Sequence, residues 1–416
     1  MNIQLLRDFC MNIRHYLWGI SSGEEPTVPV YDPILALLPL ISSLAVTSWV
    51  VSQRAGYIMT GTLLVVVAAY GVLMPDIRLQ FDATFLVLIG GYWLGLLVHY
   101  YYAPHTELLQ YIAVTPLAVV ATVVVLPALI DGRRQTFTMG LTLVATLVAL
   151  VGIGMLLQEL QTSETLYDSV GGPVFGIEGI RTASIFHNPN GYGFVMMVGS
   201  LTALYTFLVR RGAVWFGALM VCLLGFVLSE GDAALVGFTA GAVLLISGFD
   251  RRFGFLGIAL AAVGVYVAIR LGHVGDVMEG TLLTRVDRWV ASLERLAEDP
   301  MLGIGFADTA AEIGASRGPH NSYIYPLLNT GLIAGGLYLG ALVYALGQGI
   351  RRRWTPWTAF VVGLTVAIFL YMGFESLFLG GLSPSSITLG LCLGLLLYSP
   401  DADGPVTDLR SKFHIR

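Results

Sequence analysis

The chain has 416 residues, 56% of them hydrophobic and only 12% charged, with a formal net charge of −5 and a mean hydropathy of +0.77. Soluble domains carry about 25% charge, so this composition excludes an ordinary soluble enzyme, and the acidic balance excludes a nucleic-acid partner. Cys10, Cys222 and Cys392 are too scattered for a disulfide framework or a metal-ligand spacing.

Residues 1–30 read as a cytoplasmic segment without a signal-peptide pattern. Ile3, Leu6, Phe9, Ile13, Tyr16 and Leu17 recur at helical spacing with Arg7 and Arg14 among them, which predicts a short helix lying on the membrane surface. Apolar runs then begin near Ile34, Tyr57, Phe85, Leu109, Phe137, Asn190, Ala213, Asp232, Phe253, Asn321, Thr358 and Ser383. They predict twelve transmembrane helices within an all-α domain over 31–398, because a lipid-facing backbone must satisfy its own hydrogen bonds. A cytoplasmic tail, 399–416, follows. With the N-terminus inside, fifteen basic residues fall on the cytoplasmic side and seven outside, the inside turns including the pairs Arg133–Arg134, Arg210–Arg211 and Arg251–Arg252 and the triplet Arg351–Arg353. Two long segments, 158–189 and 271–320, then lie outside, and the second is a large extracytoplasmic loop late in the chain. They hold Arg181, Arg285, Arg288, Arg295 and Arg317, against the charge rule, which points to a specific role.

Within 158–189, the sequence RTASIFHNPNGYG opens the next span at its end. Asn188 can cap that helix and Pro189 suits its first position, but neither needs Arg181 or His187. Within 271–320, residues 284–297 are amphipathic, and Arg285, Arg288 and Trp289 share one helical side. That arrangement serves either an interfacial helix or a cationic clamp for a phosphate-bearing ligand. Asp299-Pro300 stops the helix, and Gly303-Ile304-Gly305 makes a tight turn. Pro319-His320-Asn321-Ser322-Tyr323 then precedes a span; Asn321 can cap it, and His320 can accept a proton near neutral pH. Gly331/Gly335, Gly336/Gly340 and Gly390/Gly394 read as close helix packing.

Taken in order, Arg-x4-Phe-x-Asn-Pro-Asn (Arg181 to Asn190), Arg-x3-Trp (Arg285, Trp289), Pro-x2-Gly-x-Gly (Pro300, Gly303, Gly305), His-Asn-x-Tyr (His320, Asn321, Tyr323) and Glu375 in the next-to-last span resemble the O-antigen ligase and O-antigen polymerase superfamily. The resemblance covers about 180–395. It implies a membrane-embedded glycosyltransferase of GT-C type that uses neither metal nor cofactor. The donor would be a glycan on a polyprenyl phosphate or pyrophosphate, and the acceptor a hydroxyl of a glycan, lipid or protein, within membrane lipid. It further implies His320 as the base or the group that positions the acceptor, Arg285 and Arg181 as phosphate contacts, and Arg288, Trp289, Asn188, Asn190, Asn321, Tyr323 and Glu375 around the substrates. One departure is Ser229-Glu230-Gly231-Asp232, where the family commonly carries an Arg. A multi-pass transporter or lipid-glycan flippase is the alternative, with Glu230, Asp232 and Glu375 as an ion route. Transporters gather function at mid-membrane, whereas here the polar signals gather in two loops.

Overall fold

The computed structural model describes residues 31–74, 77–162, 182–229, 231–250, 252, 283–306 and 309–398. Residues 1–30, the tail 399–416, the run beginning at Phe253, Glu230 and Arg181 lie outside the described residues. Every regular element among those described is a helix: α1 (Tyr31–Val46), α2 (Gln53–Leu73), α3 (Ala83–Tyr102), α4 (Thr106–Val119), α5 (Leu126–Ile130), α6 (Arg134–Thr162), α7 (Pro189–Arg210), α8 (Ala213–Ser229), α9 (Asp232–Ser247), α10 (Leu283–Glu298), α11 (Thr309–Glu312), α12 (Ile324–Ile350), α13 (Pro356–Met372) and α14 (Pro384–Leu397).

Among the described residues, six stretches are long and apolar enough to cross a membrane: α2, α3, Leu108–Ile130, α6, α7 and α12. Helices α1, α8, α9, α13 and α14 are apolar but shorter than the roughly 20 residues a bilayer core asks for. Eleven of the twelve apolar runs therefore fall on helices, and length alone carries six crossings.

The sequence reads the run beginning near Leu109 as a single helical span, but Val120–Val125 winds as a π-helix between α4 and α5. Here α14 comes very close. A Cβ on Gly390 would lie 2.1 Å from Thr122 Oγ1, and one on Gly394 would lie 2.4 Å from the Val123 carbonyl oxygen. Those two glycines do serve close packing. So do Gly237 and Gly241 of α9, whose added Cβ atoms would lie 2.6 Å from the Ala367 carbonyl oxygen and 2.9 Å from that of Gly363 on α13. Without side chains between them, the two helices meet backbone to backbone, which fixes the C-terminal end of α13.

Gly331 corrects the packing expectation. It breaks α12, with φ 73° and ψ 178° inside the helix. The Pro300–Gly305 loop docks in the gap: Leu332 N–H donates to Pro300 O (2.8 Å), Ile304 N–H to Leu328 O (2.8 Å) and Gly305 N–H to Asn329 O (3.0 Å). The loop satisfies backbone groups that the break would otherwise leave unpaired. It also ties α10, which precedes it directly, to α12.

Candidate functional site

Four segments meet at one end of the bundle: the start of α7, the first turns of α10, the turn before α12 and the turn after α13. Glu375, in the last of these, is the hub. Its Oε1 accepts from Asn190 Nδ2 at 2.7 Å and from Arg285 Nη2 at 3.2 Å, and its Oε2 lies 3.8 Å from His320 Nδ1. Arg285 also donates through Nη1 to the carbonyl of Phe374. The side chains of Arg285 and Glu375 are 18% and 13% exposed, so their ion pair is largely removed from water, while His320 at 35% reaches the surface. A carboxylate this buried would be costly without its partners.

Local chemistry explains how each group is held. Asn188 caps α7 by accepting from the Asn190 amide at 2.8 Å, and Pro189 occupies the first helical turn. The preceding strap is pinned to the α1–α2 turn by His187 N–H to Thr47 O (3.0 Å), Trp49 N–H to Ile185 O (3.0 Å) and Trp49 Nε1 to Ser184 O (3.1 Å). Asn190 is braced in turn, because Tyr371 donates its hydroxyl to the Asn190 carbonyl at 3.1 Å. Asn321 accepts from the amides of Tyr323 (2.9 Å) and Ile324 (3.0 Å), opening α12, and its Nδ2 donates to Gly373 O at 3.0 Å. Tyr323 donates to Phe369 O at 2.6 Å, and burial pushes its phenol up to about 12, so the hydroxyl stays a donor.

His320 has φ +46°, a left-handed conformation uncommon outside glycine, fixed by the bonds of the residues that follow it. Trp289 Nε1 donates to Pro319 O at 2.9 Å, so α10 clamps the turn just before the histidine. The Trp289 ring also lies 6.2 Å, centroid to centroid, from that of Phe374.

Of the residues singled out in the sequence, Arg285, Asn190, His320 and Glu375 come together directly. Asn188, Asn321, Tyr323 and Trp289 hold the frame around them through bonds to the chain itself. Arg288 lies on α10 one turn from Arg285, half-buried, and its guanidinium has no partner among the described residues. Arg181 lies outside the described residues. Arg295 is engaged elsewhere, pairing with Glu298 at 3.0 Å and Glu312 at 3.1 Å. Sequence reasoning missed Ser322, which donates to Glu375 O at 2.5 Å and accepts from Leu377 N–H at 2.8 Å. Its position inside the Pro-His-Asn-Ser-Tyr run was the available signal.

No family model matches the chain. An O-antigen ligase of Pseudomonas aeruginosa is 31% identical to it over 140 residues. That is a distant and partial likeness. The match takes in 32% of this chain and 34% of the relative, so the chain spans about a third of the length of the curated relative it matches. Together with the run of apolar helices, this likeness fits a membrane protein related to the O-antigen ligases.

Proposed function

We propose that the protein transfers a glycan from a polyprenyl phosphate or pyrophosphate carrier to an acceptor hydroxyl, on the extracytoplasmic side of the membrane and without a metal. The reading supposes twelve crossings, both termini cytoplasmic, with the five shorter helices and the run beginning at Phe253 also spanning. The observation that carries it is the convergence of Arg285, Asn190 and His320 on the single carboxylate of Glu375, drawn from four separate segments.

In the proposed step, the acceptor hydroxyl gives its proton to Nε2 of neutral His320 and its oxygen bonds to the anomeric carbon. The bond from that carbon to the carrier phosphate oxygen breaks, and the electron pair leaves with the phosphate. Glu375, facing Nδ1, favours the imidazolium that forms, and Arg cations favour the developing phosphate charge. Arg285 is already engaged by Glu375 and Phe374, so Arg288 is the cation with donors to spare, with Arg181 as a further phosphate contact. A pyrophosphate leaving group would be opposed by fixed guanidinium forks, whose geometry matches it.

The test uses the purified full-length protein with a polyprenyl-pyrophosphate-linked glycan donor and a glycan acceptor. His320→Ala and Arg288→Ala should each lower transfer by about a hundredfold or more while the protein stays folded and inserted. Near-normal transfer by His320→Ala would overturn the assignment of the base.

A further inference from the structure

The opposite end of the bundle gathers charge of one sign. Helix α7 ends at Arg210, Arg211 follows it, α9 runs out toward Arg252, and α12 ends at Ile350 with Arg351, Arg352 and Arg353 behind it. Aromatic contacts show that these ends are neighbours. Tyr205 of α7 lies 6.4 Å from Phe249 and 5.8 Å from Trp357 by ring centroids, and Trp354 Nε1 donates to Ser247 Oγ at 3.2 Å.

Two arginines there have structural work. Arg352 donates to the carbonyls of Leu395 (3.1 Å) and Tyr398 (2.6 Å), and Arg134 pairs with Asp131 at 2.9 Å and lies 5.3 Å over the Trp357 ring. The others do not. The guanidinium groups of Arg210, Arg211, Arg252, Arg351 and Arg353 have no partner among the described residues, and Nε of Arg210 is buried without one. Nearby acids are already engaged: Asp131 by Arg134 and Asp250 by the Arg252 amide at 2.8 Å. Complementing the C-terminal dipoles of α7, α9 and α12 would occupy part of this charge. It does not explain an unpaired Nε removed from water, which carries a desolvation cost that only an anion or acceptor would offset.

We infer that this end of the bundle is a binding site for an anionic phospholipid, its phosphate held by Arg210, Arg351 and Arg353 between Trp354 and Trp357. The choice of lipid over a free anion or an acidic protein rests on what flanks the arginines. Val214, Phe216, Phe249 and Ile350 are exposed apolar side chains immediately beside them. Only a lipid brings a phosphate and acyl chains to such a boundary together. Trp354 and Trp357 stand at that level, and amphipathic indoles concentrate at a headgroup boundary. Basic groups between helices at a membrane face recognise anionic headgroups through the same chemistry.

The full-length protein, purified in a mild detergent, is titrated with dioleoylphosphatidylglycerol, dioleoylphosphatidylcholine or inorganic phosphate. Retained lipid is read by native mass spectrometry and stability by thermal unfolding. Phosphatidylglycerol should be retained and should raise the unfolding temperature, whereas phosphatidylcholine and inorganic phosphate should do neither. Arg351→Gln/Arg353→Gln alters only exposed positions, so it should fold normally while weakening phosphatidylglycerol binding about fivefold per charge removed. Adding Arg210→Gln should bring the loss to roughly a hundredfold. Equal retention of the two lipids, or phosphatidylglycerol binding unmoved by the double and triple variants, would overturn the proposal. Stabilisation by inorganic phosphate alone would assign the site to a free anion and overturn the lipid reading.

Discussion

Replacing Gly331 by Ala tests whether the loop docked in the α12 break positions the site. The backbone at φ 73° and ψ 178° lies in a region essentially reserved for glycine, and holding Ala there costs about 1–3 kcal/mol. The new Cβ would also stand 2.1 Å from Met301 O, 2.4 Å from Met301 C and 2.7 Å from Leu302 N, all backbone atoms with no rotamer to yield. Relief requires the Pro300–Gly305 loop to withdraw. That breaks the bonds of Leu332 N–H to Pro300 O, Ile304 N–H to Leu328 O and Gly305 N–H to Asn329 O, at about 1 kcal/mol net each. The two routes overlap, and a total loss of about 3–5 kcal/mol follows. Withdrawal is local, so α10 should move while the bundle persists. Arg285 then loses its register with Glu375. Thermal unfolding of the purified variant should show the destabilisation, and glycan transfer should fall with it. A cysteine pair placed at Met301 and Leu332 should cross-link readily in the parent and poorly in the variant. Parent-like stability and cross-linking in Gly331→Ala would refute the account of the break.

Three further substitutions separate framing from chemistry. Glu375→Gln keeps an oxygen for Asn190 and Arg285 but removes the counter-charge of a largely buried guanidinium, so stability should fall by about 3 kcal/mol in thermal or denaturant unfolding. Ser322→Ala leaves the Leu377 amide without its acceptor and should cost about 1–3 kcal/mol, with the turn after α13 loosening by hydrogen exchange. Arg288→Ala should leave stability within about 0.5 kcal/mol, since its guanidinium holds nothing among the described residues, yet transfer should collapse; unchanged transfer would remove it from the phosphate site.

The sequence discloses the helices because their signal is local: apolar runs bounded by Asn188-Pro189, Thr355-Pro356 and Ser383-Pro384, each pair a cap followed by a proline in the first helical turn. It also discloses Arg285, His320 and Glu375, because ionisable groups beside apolar runs are rarely placed there without cause. What it hides depends on three-dimensional approach. Gly331 and Gly335 look like any small-residue pair until the loop is seen lying in the gap. The π-helix at Val120–Val125 has no periodic signature, since Thr122 is the single polar residue in a run otherwise of Val and Ala. The close meeting of Gly237 with Ala367 and of Gly241 with Gly363 needs both helices in view. Length misleads as well: α9, α13 and α14 carry the apolar character of spans in 14 to 17 residues.

The site's charge arithmetic sharpens the division of labour among its cations. Arg285 and Glu375 cancel each other at 3.2 Å, so this pair presents no net positive charge to an incoming phosphate. A phosphate that displaced Glu375 from Arg285 would strand a carboxylate that also anchors Asn190 at 2.7 Å and faces His320. Breaking one side of such a pair costs more than the pair contributes. On the proposed reading, Arg285 therefore acts chiefly through Glu375, holding the carboxylate where His320 needs it once the imidazole has taken a proton. Net attraction for the donor must come from guanidinium groups outside this pair, and Arg288 is the one on the same helix. This separates two outcomes. Arg288→Lys keeps the charge but loses the planar fork, so donor affinity should fall while the pH profile of transfer stays in place. Arg285→Lys frees Glu375 from its bond at Oε1 and should shift the pH profile, because it alters the field at His320. A pH profile moved by Arg288→Lys and untouched by Arg285→Lys would reverse the assignment.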